Sequence, residues 1–291
     1  MALPPGYRGH AEIDAAIRAL PGARVRELGA SVLGAPVLAA SFGPEAARMV
    51  GVAIAGLHPL EWIGVETALA LAGRLAASPP VDRRVIVVPL ANPDGYRAIE
   101  ADLRAGRRRY RRANARGVDL NRNWPTAFRR LPRLPIGWSW AGPHACSEPE
   151  VAAIVRALDA EVAAGARVDT ALSLHSFGRK LLVPWGARWR RPPRHAELRE
   201  RALAVQRRLR ERYSISQVSR WVPGTFAHGM EIDDLHARYG ACALLVECSL
   251  GGLSLDPESW LAGPFRWYNP RRPSVIAADI AAAVDPFVRG G

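Results

Sequence analysis

Three short segments carry side chains suited to metal chemistry: His58-Pro59-Leu60-Glu61-Trp62, Gly117-Val118-Asp119-Leu120-Asn121-Arg122-Asn123-Trp124 and Leu174-His175-Ser176. Two histidines and one carboxylate are a common ligand set of a catalytic zinc, which leaves a fourth position for water. An Asn-Arg pair such as Asn121-Arg122 offers what a zinc hydrolase needs for a substrate that ends in a free carboxylate, because a guanidinium presents a planar, bidentate fork. Together these residues point to hydrolysis at the end of a chain.

A single His-x-x-Glu means little, and a second one at His228-Gly229-Met230-Glu231 shows why. Context separates the two. His58 and Glu61 follow an apolar run and Gly56, and three-residue spacing across a strand-to-helix corner turns both side chains toward one ion. His228 and Glu231 stand in a polar, helical segment and read as surface or pocket-wall residues. His175 has two readings, a satisfied core histidine or a ligand at the carboxyl end of a strand, where open α/β sheets collect their ligands. Glu247, inside Leu244-Leu245-Val246-Glu247-Cys248, is costly to bury alone. It either pairs with an arginine or acts as a base.

The elements that must position these residues alternate along the chain, as in one α/β domain spanning residues 1–291. Strands are expected at 36–42 and 50–56, a helix at 61–77 and a buried strand at 85–90. Asn92-Pro93-Asp94-Gly95 reads as a turn, and the Arg-rich stretch 104–116 as an exposed loop. Ser147 is placed to cap a helix over 151–164, with Glu150 reaching back to the cap. A strand over 170–177, a basic helix over 194–212, a strand over 243–248 and a closing helix over 274–284 complete the pattern.

The bulk composition narrows the class. With 49% hydrophobic and 23% charged residues in 291, the chain is ordinary for a folded protein. Its apolar runs, such as 50–60 and 84–91, fall short of the roughly 20 residues that a membrane span requires. The start, Met1-Ala2-Leu3-Pro4-Pro5-Gly6-Tyr7-Arg8, lacks signal-peptide features, so a cytoplasmic location is expected. Three cysteines, Cys146, Cys242 and Cys248, have no framework spacing and are expected as thiols. The net charge of +13 rests almost wholly on arginine, Lys180 being the only lysine. That bias fits an Arg- and Ala-rich, GC-rich coding background better than a nucleic-acid partner.

Taken in order, these segments resemble the zinc carboxypeptidases, the funnelin-type metallopeptidases. Residues 56–63 resemble the first metal motif of that family, Asn92-Pro93-Asp94-Gly95-Tyr96 the turn after a central strand, and 117–124 the carboxylate-binding motif. Cys146-Ser147-Glu148-Pro149-Glu150 resembles the following helix start, Leu174-His175-Ser176 the third ligand and Val246-Glu247 the general base. The resemblance implies a single α/β/α sandwich with a mixed central sheet, and one zinc ion on His58, Glu61 and His175. It implies that Asp119 orients His58, that Asn121 and Arg122 hold the terminal carboxylate, and that Glu247 is the base. Arg112 is the implied oxyanion-stabilising arginine, with Arg111 its competitor.

One departure stands out. Four residues before Gly224, where the family has a mobile tyrosine, this chain has Arg220. Arg220 or Trp221 is then the candidate to close over substrate, an ordinary loop being the other reading. Residues 114–125 and Pro223-Gly224-Thr225-Phe226 also resemble the bacterial branch that cleaves the γ-D-glutamyl-diaminopimelate amide of cell-wall peptides. The expected activity is removal of a C-terminal residue from a peptide, with that muropeptide amidase as the alternative and a catalytically silent binding protein as a third reading. The acidic run Glu231-Ile232-Asp233-Asp234 reads as a solvated helix face or as a preference for a basic terminal side chain.

Overall fold

A computed structural model describes residues 1–130, 139–221, 224–251 and 264–291. Eight strands form one mixed sheet: β1 (Arg24–Ala30), β2 (Pro36–Phe42), β3 (Met49–Ala55), β4 (Arg84–Val88), β5 (Arg167–His175), β6 (Lys180–Val183), β7 (Ser214–Gln217) and β8 (Cys242–Glu247). Their order is β1-β2-β4-β3-β5-β8-β6-β7. The centre, β4-β3-β5-β8, is parallel. Antiparallel pairs flank it at β1/β2, β2/β4 and β6/β8.

The strands β2, β3, β4, β5 and β8 are buried on both faces and mostly apolar, as strands covered on both sides are, and alternate residues feed two separate cores. Leu38, Ala40, Ala53, Val87, Leu172, Leu174 and Val246 pack with the helices His10–Arg18, Trp62–Ala77, His195–Gln206 and Pro273–Val288. Val37, Val52, Ile54, Ile86, Ala171 and Leu245 pack with Pro149–Ala163 and Glu231–Tyr239. This is the expected three-layer α/β/α arrangement. Among the described residues no helix is long and apolar enough to cross a membrane, and all three cysteines are free thiols.

Several local expectations are corrected. Asn92-Pro93-Asp94-Gly95 is not a turn but the start of a helix, Pro93–Arg104, whose N-cap Asn92 accepts from the Gly95 N–H at 3.0 Å. Proline is welcome there because the first turn needs no N–H from it. The capping box at Ser147 does not form. Glu148 is the N-cap of Pro149–Ala163, the Ser147 hydroxyl donates to Glu148 at 2.8 Å, and Asn114 draws Glu148 and Glu150 inward at 2.7 and 3.3 Å. The basic helix ends at Gln206 rather than running to 212. The Arg-rich stretch lacks regular structure but is tied down, since Asp102 accepts from Arg107 at 2.7 Å and from Arg111 at 2.6 Å. The strands β1, β6 and β7 and the first helix lie in segments too short or too polar to announce themselves by periodicity.

Candidate metal centre and substrate cleft

The carboxyl ends of the parallel strands converge on one cleft. β3 runs through Gly56 into His58, β5 ends on His175 and β8 ends on Glu247. The corner that carries His58 and Glu61 is held by its neighbours. Trp62, fully buried, donates from Nε1 to the Pro59 carbonyl at 2.9 Å and stacks on Tyr96 with ring centroids 4.1 Å apart. Asn92 donates to the Leu57 carbonyl at 3.2 Å, and Asn269 to that of Leu60 at 2.7 Å. A Cβ at Gly64 would lie 2.7 Å from the Leu174 carbonyl oxygen. Glycine therefore lets the helix start touch β5 and brings Glu61 beside His175.

The donor atoms of His58, Glu61 and His175 lie within 4.8 Å of one another, all buried. Glu61 receives Nδ1 of His58 at 2.9 Å and Nδ1 of His175 at 2.8 Å on its two oxygens. The two Nδ1 atoms are 3.1 Å apart. Burial pushes the Glu61 carboxyl up, yet the two imidazoles pull it down further, well below the usual carboxylate range. Three converging donors with one carboxylate charge fit a divalent zinc, which takes N and O ligands of this kind. Each histidine also has an outer partner on Nε2, leaving Nδ1 for the metal. Asp119 Oδ1 stands 3.0 Å from Nε2 of His58.

Asp119 uses its other oxygen to accept from Nε of Arg112 at 2.8 Å. Burial raises the Asp119 carboxyl, but Arg112 and then His58 hold it well below the ordinary range. Arg112 Nη1 approaches Glu61 to 3.8 Å. Arg111 instead faces away, into its pair with Asp102. Of the two, Arg112 alone lines the cleft.

The cleft, of about 310 Å³, is lined on one side by His58, Glu61, Arg112, Asn121, Arg122, His175 and Glu247. Arg122 donates to the Asn121 carbonyl at 2.6 Å. Burial lowers the Arg122 pKa, against the pull of Asp119. Glu247 has a buried oxygen, Oε2, with no hydrogen-bond partner. No arginine pairs with it among the described ion pairs, so the structural reading of this glutamate is not supported. Burial first, then the charge of Glu61, push it up to about 8, and a dication at the triad would draw it back toward ionisation near neutrality.

Other expectations fail. Glu231 is neither a surface nor a pocket-wall residue: it is fully buried, with Oε1 3.0 Å from Nε2 of His175. His228 does stay outside the metal group. Between them lies Gly229, at φ +64°, where any Cβ would strike the Arg122 carbonyl, so the chain passes directly against the Arg122 backbone just before Glu231 turns into the interior. The acidic run is not a solvated face either. Asp233 accepts from the backbone N–H groups of Gly186 and Ala187, and Asp234 from Thr126. Arg220 is turned out of the cleft and lies over the Trp189 ring at 4.5 Å. Trp221, 38% exposed, does line the cleft. Pro223, part of the sequence resemblance to the amidase branch, lies outside the described residues. Sequence reading also missed Tyr268, which lines the cleft with its hydroxyl 3.3 Å from that of Tyr110. Nothing in its spacing from Glu247 signals that return.

Comparison with known proteins agrees with this geometry. Carboxypeptidase A2 of Rattus norvegicus is 30% identical over 176 residues, 56% of this chain and 41% of the relative. Carboxypeptidase A1 of Bos taurus is 26% identical over 205 residues, 65% of this chain and 48% of that protein. The chain thus spans less than half the length of the curated relatives it matches. Bovine thrombin-activatable fibrinolysis inhibitor, solved with a tick carboxypeptidase inhibitor, superposes with a TM-score of 0.74 at 19% identity over 97% of both chains. Murein-tripeptide amidase from Escherichia coli O157 gives a TM-score of 0.53 at 25% identity, covering 88% of this chain and 96% of that one. A family model described as zinc carboxypeptidase matches residues 10–247. Because the matched stretch takes in the whole metal group with Asp119 and Arg112, and ends on Glu247 itself, the chain belongs to the zinc carboxypeptidase family.

Proposed function

We propose that the protein is a zinc-dependent carboxypeptidase, removing the last residue of a peptide that ends in a free carboxylate. The observation that carries this reading is the meeting, in one cleft, of the His58-Glu61-His175 group, a buried Glu247 carboxyl with an unpartnered Oε2, and the cationic wall of Arg112 and Arg122.

Held by His58, Glu61 and His175, a zinc ion would supply Lewis acidity for a carbonyl and a bound water there. The other tasks fall to side chains. Glu247, with a free oxygen in a nearly dry setting, accepts the proton of the attacking water and passes it to the departing amine. Arg112, fixed by Asp119, faces the position of the scissile carbonyl and stabilises the negative charge that develops on its oxygen. Arg122 and Asn121 take the terminal carboxylate and set which bond meets the base. Leu182, Val218, Ala227, Met230 and Leu245, with the rings of Phe177, Trp221 and Tyr268, make most of the remaining wall apolar, Ser176 and Thr225 being its uncharged polar members, which favours an apolar terminal side chain over a charged one. Asp233 and Asp234, the acids able to attract a basic side chain, are committed elsewhere.

The muropeptide amidase is the second reading, favoured by the 96% coverage of the Escherichia coli amidase. Mass spectrometry of a mixed peptide and muropeptide pool incubated with the zinc-loaded protein separates the two. Loss of single C-terminal residues from peptides supports the proposal, whereas cleavage confined to the γ-D-glutamyl amide overturns it.

A further inference from the structure

Glu231 opens the helix Glu231–Tyr239 and is fully buried. Its Oε1 lies 3.0 Å from Nε2 of His175 and also accepts from the Ser173 hydroxyl, while Oε2 has no partner. The contact matches the one on the other imidazole, where Asp119 stands 3.0 Å from Nε2 of His58. In both rings the nitrogen left over is Nδ1, the atom that faces Glu61. A buried carboxylate is expensive, and packing alone would be served by an apolar side chain of the same size.

We propose that Glu231 is a positioning residue that acts through His175 and Asn121. Its carboxylate takes the Nε2–H of His175, which fixes the tautomer and the ring rotation and leaves the Nδ1 lone pair on the metal side. Its backbone N–H, 3.2 Å from Oδ1 of Asn121, sets the amide the other way round. The Asn121 Nδ2 lies 3.2 Å from Nε2 of His175, but that nitrogen already carries a hydrogen committed to Glu231. The amide hydrogens are thus left to a ligand in the cleft that Asn121 lines. One residue thereby sets the second histidine ligand and one arm of the carboxylate clamp, through a side chain and a backbone group respectively.

The inference rests on the metal reading above, so the experiment includes a control for it. Zinc dissociation constants are measured by competition with a chromogenic chelator for the wild type, Glu231→Gln, Glu231→Ala and His175→Ala, and the visible spectra of the cobalt(II)-loaded forms are recorded. Glu231→Ala is expected to bind zinc about 10- to 100-fold more weakly, the usual scale for losing an outer partner of a ligand. Glu231→Gln keeps a carbonyl oxygen able to accept from Nε2–H, so its loss is smaller, about 3- to 10-fold, and its cobalt spectrum stays close to that of the wild type. Zinc affinity in Glu231→Ala equal to wild type, with only a lower unfolding temperature, overturns the proposal. If the alanine variant does not fold, unchanged zinc affinity in Glu231→Gln overturns it equally. Wild-type affinity in His175→Ala would remove the metal reading itself, whereas loss there beside normal Glu231 variants removes only this inference.

Discussion

His175 and Glu247 are register partners on the last shared rung of β5 and β8. Paired residues on neighbouring strands project from the same face, and such strands lie about 4.8 Å apart. The third donor of the metal group and the Glu247 carboxyl therefore inherit their separation from the sheet's own ladder. Loops contribute nothing to it.

That geometry makes Glu247→Gln a clean test of chemistry apart from binding. The variant should keep its zinc and its affinity for substrate while kcat falls about 10²- to 10⁴-fold, the range for removing a general base. Turnover near the wild-type rate would show Glu247 to be structural.

Arg112→Ala and Arg111→Ala should behave differently although they are neighbours. Arg112 lines the cleft and is anchored by Asp119, so its loss should lower kcat about 10²- to 10³-fold, as when a donor to a developing oxyanion is removed. Arg111 pairs with Asp102 away from the cleft, and its alanine variant should show nearly unaltered kcat in the same assay.

Amidating the substrate's terminal carboxylate should lower kcat/KM at least about tenfold, since hydrogen bonds to charged groups contribute about 1.5–3 kcal/mol. Arg122→Ala should lose a similar factor on the free acid. The two losses should not add, because both remove one interaction. Equal cleavage of free and amidated peptides would exclude a carboxypeptidase.

Asp233 gives a pH signature independent of the metal. Burial outweighs the N–H groups of Gly186 and Ala187 and raises its carboxyl from 3.8 to about 6. The native state then holds a proton that the unfolded chain has released. Its contribution is intact below the unfolded pKa and is lost as pH rises from about 4 to about 6. Urea unfolding of wild type and Asp233→Asn should show the wild type losing up to about 3 kcal/mol relative to the variant across that window, and no further difference in slope above it. Parallel curves would refute the assignment.

The parts of this molecule that could be read from sequence are those in which chemistry and local pattern coincide. His58 and Glu61 follow an uninterrupted apolar strand, His175 and Glu247 end two others, and the helix at 62–77 has an apolar side that any periodicity finds. The burial of Glu231 is not legible locally because it rests on long-range contacts: its carboxylate meets Ser173 and His175, and the Gly229 before it lies on the backbone of Arg122, more than 100 residues away. A glycine just before a helix that opens on an acid was the only available sign. Asn92 was misread because a Pro-Asp-Gly sequence suits a turn and a helix start alike, and only the strand before it, pairing with β3, decides.

Asp119 joins two things that are usually described apart, the metal corner and the Arg-rich stretch. Through one carboxylate, His58 and Arg112 share a single mechanical tether, so withdrawing the ion should slacken the stretch that holds Arg112. That stretch carries its own reporter, because Arg107, Arg108, Arg109, Arg111 and Arg112 are all trypsin sites. Metal-loaded protein should resist nicking there and chelated protein should be cut early. Protease sensitivity at a distance from the ligands would then serve as a readout of metal occupancy.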